Sequence, residues 1–169
     1  MCGIVGFIGQ GSENDINIMT DSISYRGPDD RGIFFKQGIG LGHRRLSILD
    51  LSPLGHQPMI SDDGNVVIVF NGEIYNFLDL KNSYLSKYKF KGGSDTEVIL
   101  YLYLEFGDKV FSMIHGMFSI AIYDFRNKKL ILARDRMGKK PLYWGLYDNT
   151  LLFASEPKAL FKHEKFKKE

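Results

Sequence analysis

Cysteine is almost missing from this sequence. The single residue of that type, Cys2, excludes an internal disulfide and with it the stapled scaffold of a small secreted domain. A reducing, cytoplasmic location is therefore expected. Long apolar runs are missing too, since none approaches the roughly 18 residues that a membrane span needs. Charge is nearly balanced: 22 Lys and Arg against 20 Asp and Glu leave a net +2, and much of the excess sits in the closing KHEKFKKE segment. No basic patch elsewhere argues for nucleic acid as a partner. The opening MCGIVGFIG has neither the basic flank nor the cleavage site of a secretory signal. The four histidines, His43, His56, His115 and His163, are scattered, and no metal-ligand spacing joins them to Cys2.

What is present is ordinary globular composition, 44% hydrophobic and 25% charged over 169 residues, enough for one domain with a sizeable core. An apolar run from Ile4 to Ile8 reads as a buried strand. Ile16, Met19 and Ile23 give helical spacing over residues 14–24. Arg26-Gly27-Pro28-Asp29-Asp30 is turn chemistry. Short strands are expected near 32–36, 39–42 and 46–49. Val66-Val67-Ile68-Val69-Phe70 suits a strand covered on both faces. Ser94 with Glu97 predicts a capping box for a helix that stops at Gly107. Two hairpins follow, FSIAIYDF with LILARD and LYWGLY with LLFAS, and then a short helix from Pro157. The aromatic strands, Trp144 included, read as core. Blocks of strands and helices, rather than strict alternation, predict a layered α+β domain with mostly antiparallel sheets.

Position 2 gives the cysteine unusual chemistry. Removal of Met1 would place thiol and free α-amino group on one residue. Their ordinary pKa values, about 8.5 and about 8, let either exchange a proton near neutrality. The amine can then serve as general base for its own thiol, without a histidine. The plainer alternative is a small buried hydrophobe at a strand start. A Cys–His pair with His43 or His115 is disfavoured.

The blocks MCGIVG, RGPDDRG, HRRLSILD, FNGEIYN, GSDTEVIL, GMFSIAIYD, ARDRMGKKPLYW and FASEPKAL occur in this order and cover nearly the whole chain. Together they resemble the glutaminase domain of class II glutamine amidotransferases, which belong to the N-terminal-nucleophile hydrolases. RGPD, NGEIYN and KKPLYW are most similar to the asparagine synthetase branch. The resemblance implies a four-layer αββα sandwich of two mostly antiparallel sheets. It also implies that Cys2 attacks the side-chain amide of glutamine, with Asn71 and Gly72 as oxyanion donors. Taken by itself, Asn71-Gly72 also reads as an inter-strand turn.

Arg45 then matches a clamp for the substrate carboxylate. Asp95 and Glu73 match partners for its ammonium, and Leu46, Ile48 and Leu49 match contacts beside Arg45. Each charge alone also reads as solvated surface. Arg26 and Asp29 are expected to shape the pocket or serve as turn residues. The glutaminase domain is expected to span residues 1–161, with 162–169 a basic tail or the start of a linker. No Ser-Gly-Gly-x-Asp-Ser type phosphate loop occurs. ATP and magnesium are accordingly expected only in a separate synthetase domain that would receive the ammonia, and no cofactor is expected in this half. The resemblance also admits a homodimer.

Overall fold

Period-two alternation in the strands builds the layers. In the computed structural model, which describes residues 1–167, β5 (Val66–Ile74) turns Val66, Ile68 and Phe70 to one side and Val67 and Val69 to the other. All four residues from Val66 to Val69 are fully buried, as the unbroken apolar run predicts. β5 pairs antiparallel with β4 (Met59–Ile60) and β6 (Gly116–Asp124). β7 (Lys129–Arg134) completes a sheet in the order β4-β5-β6-β7.

The second sheet has the order β2-β3-β1-β9-β8 and is antiparallel throughout. Its strands are β1 (Gly3–Ile8), β2 (Asp30–Lys36), β3 (Ile39–Arg45), β8 (Tyr143–Tyr147) and β9 (Thr150–Ala154). Ile4, Ile39, Leu41 and Phe153 face Val67, Val69, Ala121 and Tyr123 across the space between the sheets. The outer faces are covered by helices. Helices α1 (Glu13–Asp21) and α5 (Pro157–Leu160) pack on Val5, Phe7, Leu152 and Ala154. Helices α2 (Phe77–Tyr84), α3 (Asp95–Phe106) and α4 (Val110–Met113) pack on Val66, Ile68, Phe118 and Ile120. The expected αββα sandwich follows. Among the described residues no helix is long and apolar enough to cross a membrane.

Both C-terminal hairpins form as the sequence predicts, and the β8–β9 turn places Asp148 and Asn149 at φ 46° and 62°, a conformation these residues tolerate. Several expectations need correction. Residues 46–49 form no strand, because the chain there curls around the Arg45 guanidinium, which takes the carbonyls of Leu49, Asp50 and Ser52. Asn71-Gly72 is no turn but the continuation of β5.

Ser94 caps α3 by accepting from the Glu97 N–H at 3.3 Å, yet the box is not reciprocal. The Glu97 carboxylate is engaged by the N–H groups of Lys91 and Gly92. A complete capping box occurs instead at Ser12 and Asp15, starting α1. That helix ends at Asp21, short of residue 24. Trp144 is not core: it lies on the edge strand β8 and is 65% exposed. Of segment 162–169, residues 168–169 lie outside the described part. Before them, His163 is buried edge-on against Phe7, and Phe166 packs on Tyr147.

Gly6 shows how tightly the sheets are matched. A Cβ there would meet Phe153 Cζ at 2.4 Å and the Gly40 carbonyl oxygen of β3 at 2.7 Å. The ring can shift, but the paired backbone cannot. Gly6→Ala is therefore expected to destabilise the fold by about 1–3 kcal/mol, read as a lowered urea midpoint. An unchanged midpoint would contradict this packing.

Candidate active site

The inter-sheet layer changes character along its length. Successive inward positions on β3 are Ile39, Leu41, His43 and Arg45; on β5 they are Val67, Val69, Asn71 and Glu73; on β6, Tyr123, Ala121, Ser119 and Met117. β3 and β5 run from apolar to polar toward the same end, where Ser119 of β6 also lies and Cys2 precedes Ile4 by one inward step. A cleft of about 620 Å³ opens there. Cys2, Arg45, Leu46, Ile48, Leu49, Asn71, Gly72, Glu73 and Asp95 all line it, so the residues expected to touch glutamine reach one place, while Arg26 and Asp29 lie behind it.

The start of β1 is held firmly. Ile4 exchanges hydrogen bonds with Ser155: its N–H donates to the hydroxyl at 2.9 Å, and its carbonyl accepts from the Ser155 N–H at 2.8 Å. The Cys2 carbonyl accepts from Arg26 Nε at 2.9 Å. Arg26 is itself paired with Glu156 at 2.8 Å, and Glu156 also accepts from the Tyr25 hydroxyl. The Cys2 sulfur lies 3.4 Å from the Leu46 N–H, which donates to it, and 3.5 Å from the Leu46 carbonyl, which accepts from the thiol. Asp29 donates its N–H to the Arg45 carbonyl and accepts from the Ser47 N–H at 2.8 Å. The Arg-Gly-Pro-Asp loop thus fixes both the cysteine backbone and the segment against its sulfur.

Asn71 is 1% exposed and its side-chain Nδ2 has no hydrogen-bond partner. A buried donor without an acceptor costs about 1–3 kcal/mol, so an unmet donor facing a cleft marks a place for a ligand oxygen. The neighbouring Gly72 leaves room only for hydrogen, since a Cβ would stand 2.2 Å from the Met117 carbonyl oxygen. The preceding peptide is pinned from both sides. Phe70 N–H donates to Gln57 Oε1 at 2.6 Å, and the Phe70 carbonyl lies 3.1 Å from His43 Nε2. Gln57 in turn donates to Thr96 Oγ1 at 3.1 Å, tying β5 to α3.

His43 is wholly buried, and burial drives its pKa down to about 3, against the smaller opposing effect of the Phe70 carbonyl. It is a neutral donor committed to backbone, not a base for Cys2. His115 is exposed and also makes no bond to the thiol.

The charged groups differ in how they are held. Arg45 is 6% exposed and donates to the carbonyls of Ser52 at 3.0 Å, Leu49 at 3.4 Å and Asp50. It therefore shapes the loop that carries Leu46, Ile48 and Leu49. Asp95 opens α3 and is 4% exposed. Burial pushes its carboxyl from the ordinary 3.8 up to about 6. The N–H groups of Ile74, at 3.0 Å, and Thr96 oppose that rise, while the negative charge of Glu73 adds to it.

Gln57 and Lys140 line the cleft and were not named from the sequence. Gln57 carries no periodic or motif signal of its own. Lys140 is the second of two adjacent lysines, a pattern that reads as a solvated turn. Lys139 is indeed exposed, but Lys140 is 7% exposed.

A thiol, an unmet amide donor and charged groups of both signs thus gather at one end of the sandwich's inner layer. A family model described as "Glutamine amidotransferase domain" matches residues 1–169, and the chain belongs to that class II glutamine amidotransferase family. It is 47% identical over 170 residues to asparagine synthetase [glutamine-hydrolyzing] 2 of Bacillus subtilis (strain 168), covering 96% of this chain and 22% of that protein. It is 41% identical to a putative asparagine synthetase [glutamine-hydrolyzing] 2 of Methanocaldococcus jannaschii, covering 100% of this chain and 36% of that one. The chain thus spans about a fifth to a third of the length of these relatives. In fold it is similar to the glutamine phosphoribosylpyrophosphate amidotransferase of B. subtilis, solved with ADP and GMP, at TM-score 0.80 and 23% identity, over 95% of this chain and 43% of that one.

The state of Asp95 leads to a test. Its folded pKa is raised, so stability is greatest below its unfolded value and falls as pH rises through about 6. Carrying the charge at neutral pH costs roughly 3 kcal/mol. Asp95→Asn keeps an acceptor for the Ile74 N–H and removes the charge. Its urea-unfolding free energy should gain on wild type between pH 4 and 7. A gap independent of pH would contradict the burial of an ionised Asp95.

Proposed function

We propose that this domain hydrolyses glutamine to glutamate and ammonia through a thioester on Cys2, after removal of Met1. In this mechanism the thiol yields its proton to the α-amino group as sulfur attacks the side-chain amide carbon. The carbonyl oxygen becomes an oxyanion, held by Asn71 Nδ2 and the Gly72 N–H. The ammonium returns its proton to the departing nitrogen, the C–N bond breaks, and ammonia leaves. Water then attacks the thioester, with the amine again taking a proton, and glutamate departs as the thiol is restored. No cofactor enters these steps. The reading rests above all on the unpartnered, buried Asn71 amide in the cleft that Cys2 lines. A donor that gains its acceptor only as negative charge develops is what such catalysis requires.

The acceptor reading follows from the relatives. Proteins named as asparagine synthetases are 41–47% identical to this chain, and this supports delivery of ammonia to a synthetase domain or subunit. That partner would bind ATP and magnesium and amidate aspartate. A reduced thiol suits the cytoplasm. The alternative acceptor is a sugar or a carboxylate other than aspartate. Activity of the purified synthetase partner on aspartate against other carboxylates separates the two.

Cys2→Ala should abolish glutaminase activity while leaving the circular dichroism spectrum and urea midpoint near wild type. Appreciable ammonia release by the purified variant would remove Cys2 from the mechanism. Asn71→Ala should lower kcat about 10²–10³-fold with little change in KM. A raised KM at unchanged kcat would make Asn71 a substrate-binding residue instead.

A further inference from the structure

Lys140 lines the cleft, and the proposed chemistry gives it no role. It is only 7% exposed, which is rare for a lysine unless it is paired. Among the described residues it forms no ion pair, and the one side-chain partner of its Nζ is the sulfur of Met1, at 3.3 Å. That sulfur belongs to the residue whose removal would free the Cys2 amine. A buried ammonium with such a weak acceptor is costly, and a methionine would fill the same space without a charge.

No carboxylate around it forms an ion pair with its Nζ among the described residues. Asp135, nearest along the chain, has its carboxylate occupied by the N–H groups of Phe118 at 3.2 Å, Lys139 at 2.9 Å and Lys140 at 3.0 Å. Arg26 beside the Cys2 carbonyl is balanced by Glu156. From the other walls come Arg45 of β3, directed into its own loop, Glu73 of β5, and Asp95 of α3 held by backbone N–H groups. Lys140 is thus a cation at the Met1 end of the cleft whose Nζ has neither a carboxylate nor a backbone acceptor among the described residues.

We infer that Lys140 is an electrostatic positioning residue that acts through Cys2: with Met1 removed, its ammonium shares the cleft end with the freed α-amino group and thiol and favours their deprotonated forms at neutral pH. An α-amino group ordinarily titrates near 8 and would be mostly protonated, hence unable to act as base. A neighbouring positive charge disfavours a second ammonium and favours a thiolate, so both groups shift the same way. This inference rests on the proposed role of Cys2 as N-terminal nucleophile.

The test uses Lys140→Met, Lys140→Gln, Lys140→Arg and the exposed control Lys139→Met, each verified by mass to lack Met1. Two profiles are read from pH 5 to 9: kcat/KM for glutamine, and the rate of iodoacetamide alkylation, which reports Cys2 alone because the chain has no other cysteine. The acid limbs of both should move up by roughly one pH unit in the Met and Gln variants, with about a tenfold loss of kcat/KM near pH 6.5. Lys140→Arg retains the positive charge and should keep the wild-type limb, as should Lys139→Met. Limbs unmoved in folded Lys140→Met and Lys140→Gln would overturn the inference. If wild type releases no ammonia, the glutaminase reading fails by itself, and the alkylation limb still decides whether Lys140 tunes the thiol.

Discussion

The constraint on which this structure depends is the matching of two antiparallel sheets across a single layer of side chains. Because the side-chain period is two, each strand contributes a fixed row to that layer. The rows from β3 and β5 are apolar in one half and polar in the other, and Cys2 before β1 and Ser119 of β6 join the polar half. The apolar part supplies burial and locks the register. The polar part lies at the mouth of the sandwich, where it inherits that rigidity. A one-residue slip in β5 would turn Asn71 and Glu73 toward the helices and bring Gly72 to the inner face, so the packing that holds Val67 and Val69 also aims the site.

The polar end is expensive to maintain. An unmet Asn71 amide, a neutral buried His43 with an unpaired Nδ1, an Asp95 whose ionisation burial opposes, and an unpaired Lys140 lie within one region. Each would be replaced at lower cost by an apolar residue if stability were the only demand. Their concentration at the cleft, beside a cysteine held by Leu46 and Arg26, fits groups arranged for a ligand that carries both charges and a polar carbonyl. The Phe70 N–H donates to Gln57 and the Phe70 carbonyl accepts from His43, and these buried bonds keep the donor strand in place.

Much of this was legible in the sequence, for identifiable reasons. The Val66–Phe70 run and the two C-terminal hairpins follow from local pattern, and the residues expected to touch glutamine reach one cleft because ordered motifs carried them. What failed depended on tertiary partners. Residues 46–49 have strand-like composition, but a buried Arg45 side chain takes their loop's carbonyls. Helix α2 went unnamed because Asn76 gives no side-chain cap; its amide instead bridges Met113 and His115. Glu97 has the spacing of a capping box, yet the 91–92 backbone claims its carboxylate. Burial of one lysine of an adjacent pair cannot be read from either neighbour, so Lys140 was invisible.

Whether Cys2 acts as an N-terminal nucleophile at a glutamine site is decided by mass analysis of the N-terminal peptide. The protein is treated with a glutamine analogue bearing an electrophile in place of the side-chain amide, with and without excess glutamine. The account predicts a single adduct on Cys2, in a peptide that lacks Met1, formed more slowly when glutamine is present. Loss of glutamine hydrolysis on treatment with Cys2 left unmodified, or hydrolysis by protein whose Met1 remains attached, would contradict it.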